Sequence, residues 1–369
     1  MLDASRSVPV VNSLITPDQS AGFASSIEAE YEKLRHDFAN REQSKKFLTL
    51  ENARRNAPRI AHTGNPEPKR KSIQVLRNYP LDELRQYIDW TPFFITWEMQ
   101  GKYPAIFQDE KFGTEAKKLF DDANALLDQI IARKLIHAHG VAMIWPANSV
   151  GDDIEVYADE SRTSTIAVFH GLRQQTEKRA GEPNRCLSDY VAPRGVKDYV
   201  GAFAVTAGDG VLDLAKSYED KGDDYNSIMV KAIADRLAEA FAERLHEMVR
   251  KEIWGYASDE SLSAEDLVRE AYQGIRPAPG YPSQPDQTEH QDLFRLLAAT
   301  KHTGVSLTES LAMSPAASVC GIYLAEKQAE YFNLGKIEKD QVEDYARRKG
   351  MPVGEVEKWL SPALNYDRP

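Results

Sequence analysis

The feature that most constrains the fold is a block of strand-like segments with no helical segment among them. These segments are residues 140–148 (GVAMIWPAN), 153–159 (DIEVYAD), 165–171 (TIAVFHG) and 199–208 (YVGAFAVTAG), and residues 151–153 (GDD) are typical of a hairpin turn. Helical periodicity dominates the chain before and after the block. Grouped strands indicate an α+β fold, whereas alternating strands and helices would indicate parallel βαβ units. We predict a single large domain with a twisted, mainly antiparallel sheet and surrounding helices.

Apolar periodicity predicts the longest helix at residues 225–254. Gly255 is expected to end that helix, and Ser263 with Asp266 forms a capping box that opens the next one. Residues 318–325 (SVCGIYLA) read as a further strand. The apolar stripe of the long helix consists of Ile233, Leu237, Phe241, Leu245, Val249 and Ile253.

The first part of the chain differs from this globular remainder. Residues 21–46 are charged and helical with one narrow apolar stripe, which favours a solvated connecting helix over a binding helix. Residues 56–72 (NAPRIAHTGNPEPKRKS) are rich in proline, asparagine and charge, and they predict an extended linker on a surface. Both segments indicate a connection rather than a core.

Composition excludes several classes of protein. Hydrophobic residues make up 42% and charged residues 28% of the 369 residues, as in globular proteins, and no apolar run approaches the roughly 20 residues that span a bilayer. The net charge of −11 argues against nucleic-acid binding, which needs a basic face. Cys186 and Cys320, far apart in sequence, favour a reducing, cytoplasmic compartment. No membrane partner and no nucleic-acid partner are expected.

No pattern of a self-contained catalytic or metal centre is found in the sequence. The glycine-rich nucleotide loops, the H-E-x-x-H zinc motif and the G-x-S-x-G nucleophile elbow are all absent. His137 and His139 lie two residues apart, but no third ligand is near them. We therefore predict no catalytic residue and no metal site in this chain.

A proline-rich loop at residues 276–282 (RPAPGYP) follows the helix opened by Ser263. Proline fixes its own φ and restrains the residue before it, so Arg276 sits in a stiff frame. A planar guanidinium pairs bidentately with a carboxylate, and Tyr281 adds a ring beside it. The loop is therefore either a preorganised carboxylate clamp or a rigid structural crossing, and the residue pattern by itself slightly favours the crossing.

Two further candidates for a binding site lie elsewhere in the chain. Asp89 stands in an aromatic setting (YIDWTPFF), where its carboxylate suits an ammonium or sulfonium group or caps a short helix. Tyr331 and Phe332 form an aromatic pair that, considered alone, is better explained by packing. None of these residues identifies a ligand without a wider context.

Eight stretches together supply that context: IDWTPFFITWEMQGKYP, PANSVGDDIEVY, LRQQTEK, DYVGAFAVTAG, DDYNSIMVKAIADRLAEAFAERLHE, YQGIRPAPGYP, LTESLAMSPAASVCGIY and QVEDYARRKGM. In order and spacing, from about Thr49 to Tyr366, they resemble the C-terminal activation domain of cobalamin-dependent methionine synthases. The resemblance implies a domain that binds S-adenosylmethionine and supports reductive methylation of cob(II)alamin to methylcobalamin. It also implies that flavodoxin or a flavoprotein reductase supplies the electron.

The resemblance also implies which residues contact the ligand. Arg276 matches the arginine that holds it, Asp89 an acidic contact and Tyr331 a tyrosine at the site, with Phe332 beside it where some relatives carry a hydroxyl. Glu270 matches an acidic residue associated with the site. Arg276 suits the ligand carboxylate, and Asp89 or Glu270 suits a cationic group.

The loop itself is expected to receive the adenine. Ala278, Gly280 and Tyr281 surround Arg276 with small and flat groups, which suit a planar apolar ring. Ala4 matches a backbone contact to cobalamin in the preceding module of the family.

The resemblance divides the chain into three parts. Residues 1–20 resemble the end of a cobalamin-binding module, residues 21–48 the helical linker, and residues 49–369 the activation domain. The cobalt-ligating D-x-H-x-x-G motif, the zinc thiolates of the homocysteine module and the folate module are absent from the sequence. The chain is thus expected to act as part of a methyltransferase and not to make methionine alone.

Two other functions remain open, and each makes a different prediction. An inert module would dock flavodoxin and the cobalamin module without binding S-adenosylmethionine. An independent methyltransferase acting on a small molecule would need an acceptor base and a nucleotide loop, which the sequence lacks. Because flavodoxins are usually acidic, docking would use a basic patch, and residues 68–72 and 346–350 are the candidates.

Overall fold

The block of strands forms one antiparallel sheet, as predicted. The computed structural model describes residues 7–43 and 46–368 of the chain. The main sheet has the order β4-β3-β2-β5-β8, and β1 pairs with the first half of β2; β6 and β7 form a separate ribbon. The strands are β1 (Gln74–Leu76), β2 (His137–Val150), β3 (Asp153–Tyr157), β4 (Thr165–His170), β5 (Asp198–Asp209), β6 (Ser306–Leu307), β7 (Met313–Ser314) and β8 (Ser318–Tyr323).

Helices lie before, between and after the strands, which confirms the α+β class. Short 3₁₀ turns occur at Ala105–Gln108, Leu187–Tyr190 and Ser361–Ala363. The α-helices are α1 (Ser7–Ile15), α2 (Pro17–Gln43), α3 (Leu50–Arg55), α4 (Leu81–Arg85), α5 (Thr91–Thr96), α6 (Gly113–Arg133), α7 (Val211–Glu219), α8 (Asp224–Met248), α9 (Ala264–Val268), α10 (Glu289–Leu297), α11 (Ala299–Thr303), α12 (Lys339–Lys349) and α13 (Val353–Trp359).

The long helix α8 forms where the apolar stripe predicted it, with one difference at its end. Its last turn, Val249–Ile253, widens into a π-helix, and Gly255 then adopts a φ of 84° that ends the helix. Local apolar spacing does not distinguish a π turn from an α turn, so the sequence offered no signal for this change. The predicted capping box of Ser263 and Asp266 is present at the start of α9.

Helices cover both faces of the sheet, which explains why its strands lack a simple apolar–polar alternation. Ala138, Ala142 and Ile144 of β2 pack in a cluster with α6 and α8, whereas Val141 and Trp145 pack on the opposite face with α10 and α11. The central strand β5 is buried along nearly its whole length. A strand enclosed on both sides reads as a continuous apolar run.

The N-terminal segment is helical over the part that the structure describes. Helix α2 spans most of the predicted connecting helix, and residues 57–73 contain no helix or strand, in agreement with an extended linker. Ala4, with its expected cobalamin contact, lies outside the described residues. No helix among the described residues is both long enough and apolar enough to cross a membrane.

Two of the three basic residues at 346–350, Arg348 and Lys349, are largely buried, so the segment is only partly the exposed patch that its composition predicted. Arg348 is only 12% exposed, ion-pairs with Asp153 and Asp344, and donates to the carbonyl of Gly171 at 3.0 Å. Lys349 is equally buried in ion pairs with acidic residues before and within α10. Burial of these two cations joins α12 to the sheet and to α10, so Arg348 and Lys349 are structural.

We expect Arg348→Met to lower the free energy of unfolding by about 3 kcal/mol, because it leaves the largely buried Asp153 without its cation. Arg347 is the matched control, since it is the neighbouring arginine on α12 and is 73% exposed. Arg347→Met should change stability by less than about 0.5 kcal/mol. Urea denaturation followed by circular dichroism measures both values, and equal losses would contradict the structural role.

Candidate functional site

The backbone of Arg276 is held against the free edge of β8. The amide of Ile275 donates to the Leu324 carbonyl at 2.9 Å, Leu324 returns a bond at 3.0 Å, and the amide of Ile322 donates to the Pro277 carbonyl at 2.9 Å. Three hydrogen bonds therefore extend the sheet by a short segment. The sequence predicted that Arg276 directly follows a helix, which is wrong, because α9 ends at Val268.

Two glycines allow this segment to approach β8 so closely. A Cβ on Gly321 would lie 2.6 Å from the Pro277 carbonyl oxygen, and one on Gly274 would lie 2.6 Å from that of Leu324. Gly274 also has a φ of 84°, which side-chain-bearing residues rarely adopt. A glycine on each side of the contact thus gives the proline-rich loop the space to pack against β8.

The guanidinium of Arg276 is fixed by three side chains. Its Nη1 donates to the Tyr272 hydroxyl at 2.6 Å and to Nδ1 of His246 at 3.3 Å, and its Nη2 lies 2.8 Å from Oε2 of Glu243. Its backbone amide donates to the Tyr331 hydroxyl at 2.9 Å. Among the described residues, no partner accepts a hydrogen bond from Nε. The side chain is 17% exposed, so a fixed cation with spare donors stands at the surface of a cavity.

Burial shapes the charge states around this arginine. Burial opposes the charge of Arg276, but Glu243 and Tyr272 outweigh it and raise its pKa, which keeps it cationic. Burial raises the pKa of the Glu270 carboxyl, an effect that Arg276 partly opposes. Burial also lowers the pKa of His246 well below its usual range, and the nearby Arg250 and Arg276 lower it further. His246 is therefore neutral at physiological pH.

Two adjoining cavities, of about 310 Å³ and 500 Å³, open beside Arg276. Glu239, Glu270 and Arg276 line both of them, so they form one cleft. The residues predicted from the sequence that line this cleft are Asp89, Glu270, Arg276, Ala278, Tyr281, Tyr331 and Phe332. The fold brings these residues together from four separate parts of the chain, and their contact with a ligand stays a prediction.

Gly280 is the predicted site residue that does not line the cleft. It has a φ of 85°, and its amide donates to the Gln284 carbonyl at 2.8 Å. It therefore shapes the turn that carries Ala278 and Tyr281 into the cleft. Its role here is conformational, since no cavity beside Arg276 reaches it.

Asp89 accepts a hydrogen bond at the start of α5 and also lines the cleft, so the two alternatives that the sequence left open are compatible. Its Oδ1 accepts a hydrogen bond from the amide of Thr91 at 2.9 Å, at the start of α5. The same residue lines the smaller cavity. One carboxylate oxygen is thus engaged in capping, and the residue still faces the cleft.

A polar stripe on α8, which was not predicted from the sequence, faces Arg276. A spacing of three and four residues places its members on one side of the helix, opposite the apolar stripe. Such a pattern normally indicates a solvated face, but here the segment that carries Tyr272 and Arg276 covers it. The stripe consists of Arg236, Glu239, Glu243, His246 and, in the π turn, Arg250.

The cleft carries more negative than positive side chains. Carboxylates of Asp89, Glu239, Glu243 and Glu270 line it, against the guanidiniums of Arg236 and Arg276. Phe203, Val319 and Phe332 add flat or apolar surface in the larger cavity. A ligand with one carboxylate, more than one cationic group and a planar apolar portion complements this arrangement.

These features define a class: an α+β domain with a preformed acidic cleft beside a fixed guanidinium. Within residues 7–43 and 46–368, no three His, Cys, Asp or Glu side chains are grouped to hold a metal ion. The family model described as vitamin B12 dependent methionine synthase, activation domain, matches residues 80–350. The chain belongs to this family.

A solved structure agrees with the assignment to the family. It is a crystal structure of the MetH reactivation domain bound to AdoHcy, 55% identical in sequence, with a TM-score of 0.84. The match covers 87% of this chain and 99% of that one. The fold class and the family inferred from the sequence are both confirmed.

We expect Gly321→Ala to disturb the site through the backbone, because the added Cβ would overlap the Pro277 carbonyl and push the Arg276 segment off β8. The expected loss of unfolding free energy is about 1–3 kcal/mol. Gly354→Ala is the matched control, since it lies in α13 with open space around it. Thermal and urea unfolding of both variants test this. If Gly321→Ala were as stable as Gly354→Ala, the close approach of the two backbones would be contradicted.

Proposed function

We propose that the cleft binds S-adenosylmethionine and that the chain thereby supports reductive methylation of cob(II)alamin within methionine synthase. The observation that carries this proposal is the fixed Arg276 guanidinium among an excess of carboxylates. S-adenosylmethionine presents a carboxylate, an ammonium and a sulfonium, with a net positive charge. AdoHcy, which is bound to the related domain, is the same molecule after loss of its methyl group.

Each part of the ligand has a fitting group in the cleft. Arg276 retains its Nε donor for the ligand carboxylate, in the manner of bidentate guanidinium–carboxylate pairs. Glu270, Glu239 and Asp89 are acidic groups for the ammonium and sulfonium. The apolar wall with Phe203 suits the adenine ring.

The chemistry comes from the ligand and from cobalamin held by another module. One electron, which we assign to flavodoxin or a flavoprotein reductase, reduces cob(II)alamin, and the ligand's methyl group then passes to cobalt, leaving S-adenosylhomocysteine. The residues of this chain bind and orient the ligand, and we assign no proton transfer to them. Pairing Arg276 with the carboxylate holds one end of the ligand and limits the positions open to the sulfonium.

The rim of the cleft suits contact with the cobalamin-binding module. Val268 is 57%, Tyr281 55% and Tyr331 38% exposed, and all three flank the cleft. Exposed apolar and aromatic side chains at one mouth favour a protein partner there. For the acidic electron donor, the exposed residues 69–72 remain as a basic candidate surface, and we place the reaction in the cytoplasm.

A reconstituted reaction tests the proposed function directly. The chain would be mixed with a cobalamin-loaded module, reduced flavodoxin and S-adenosylmethionine. The visible spectrum should change from that of cob(II)alamin to that of methylcobalamin. No change, together with no heat of S-adenosylmethionine binding, would favour the inert interaction module.

Arg276→Ala should weaken S-adenosylmethionine binding at least tenfold, because the ligand carboxylate loses a charge-assisted hydrogen bond worth about 1.5–3 kcal/mol. Arg276→Lys should recover only part of this loss, since an ammonium cannot pair bidentately. Isothermal titration calorimetry on folded protein measures the dissociation constants. Arg347→Ala, at an exposed arginine on α12, is the control and should bind normally; unchanged binding by Arg276→Ala would remove the clamp assignment.

A further inference from the structure

His246 occupies an unusual position for a histidine. It is fully buried on α8, lies 3.3 Å from Nη1 of Arg276 and is close enough to Arg250 to feel its charge. A protonated imidazole would be a third cation beside two guanidiniums, so only the neutral imidazole fits. The proposed function so far assigns no role to this ring.

The hydrogen bonds of His246 determine its tautomer. Because Nη1 of Arg276 has only hydrogens to offer, Nδ1 of His246 must accept, at 3.3 Å. The ring hydrogen then resides on Nε2, which donates to the Tyr256 hydroxyl at 3.4 Å. The imidazole is thus an acceptor aimed at Arg276 and held from behind by a tyrosine.

Aromatic contacts prevent the ring from turning away. It stacks on Tyr323, with ring centroids 5.0 Å apart and planes at 17°, and it meets the edge of Tyr272 at 4.9 Å and 81°. Rotation of His246 would disrupt both contacts in a region without free volume. The acceptor therefore keeps its direction.

The consequence for Arg276 follows from a count of its donors. Both Nη1 hydrogens are used, one by Tyr272 and one by His246, whereas Nη2 lies 2.8 Å from Oε2 of Glu243 in an ion pair. Among the described residues, no hydrogen bond takes up Nε–H or an Nη2 hydrogen, and these two nitrogens together can pair bidentately with a carboxylate. Since Arg276 lines both cavities, a ligand in the cleft can reach it.

We propose that His246 is a positioning residue for ligand recognition: its neutral ring fixes the guanidinium plane of Arg276 so that two donors stay free for the carboxylate of S-adenosylmethionine. The inference rests on the proposed function. The alternative is that His246 only packs in the core. Substitution of His246 would then lower stability, and any change in affinity would be the same for ligands with and without a carboxylate.

Two variants separate the acceptor from the ring. His246→Phe keeps the stacking surface and removes the acceptor, whereas His246→Asn places an amide oxygen near the position of Nδ1. Each would be titrated calorimetrically, below its unfolding temperature, with S-adenosylmethionine and with decarboxylated S-adenosylmethionine. The second ligand lacks only the carboxylate, so it cannot report on the orientation of Arg276.

His246→Phe should weaken binding of S-adenosylmethionine about tenfold, the effect of one hydrogen bond of roughly 1.4 kcal/mol, and leave the decarboxylated ligand within about twofold. His246→Asn should keep most of the affinity for both ligands. Equal losses for the two ligands, or no loss with either, would overturn the positioning role.

Two further variants keep the test decisive. Should His246→Phe not fold, Tyr272→Phe removes only the hydroxyl that takes the other Nη1 hydrogen, and it should show the same dependence on the carboxylate. Arg276→Ala in the same assay separates the two hypotheses. If Arg276→Ala binds both ligands as tightly as the unaltered protein does, the clamp assignment fails. If Arg276→Ala binds only S-adenosylmethionine more weakly, and His246→Phe and Tyr272→Phe bind both ligands normally, the clamp assignment stands and the positioning role fails.

Discussion

The ion pair between Arg276 and Glu243 is the interaction on which the site depends, because it joins two parts of the fold that approach from different directions. Arg276 comes from a segment added to the edge of β8, and Glu243 comes from α8, which packs on one face of the sheet. Glu243 also lies 3.8 Å from Arg250, so one carboxylate bridges two guanidiniums. The cleft forms along this contact.

Several charged side chains of this protein are buried rather than exposed to solvent. Arg276, Arg250 and Arg348 are all largely buried beside carboxylates. Buried pairs are sensitive to the loss of either member, since the remaining charge has no solvent to stabilise it. Part of the acidic excess of the sequence lies in the cleft, while Arg348 connects α12 to the sheet.

The fold was largely predictable because its signals are local. The strands, the apolar stripe of α8 and the capping box at Ser263 depend on neighbouring residues, and the structure has all three. The polar stripe of α8 was misleading, because such a face usually meets water. Only the segment covering it, nearly thirty residues later in the chain, turns Glu243 and His246 into partners of Arg276.

The sequence by itself determined the α+β class, the family and the rigid frame around Arg276, because composition, spacing and proline stereochemistry act over short distances. Only the tertiary structure decided which groups meet that arginine and that Gly280 shapes the turn instead of lining the cleft. It also decided that Arg348 faces inward. These outcomes depend on burial and long-range approach, for which the local pattern of residues carries no signal.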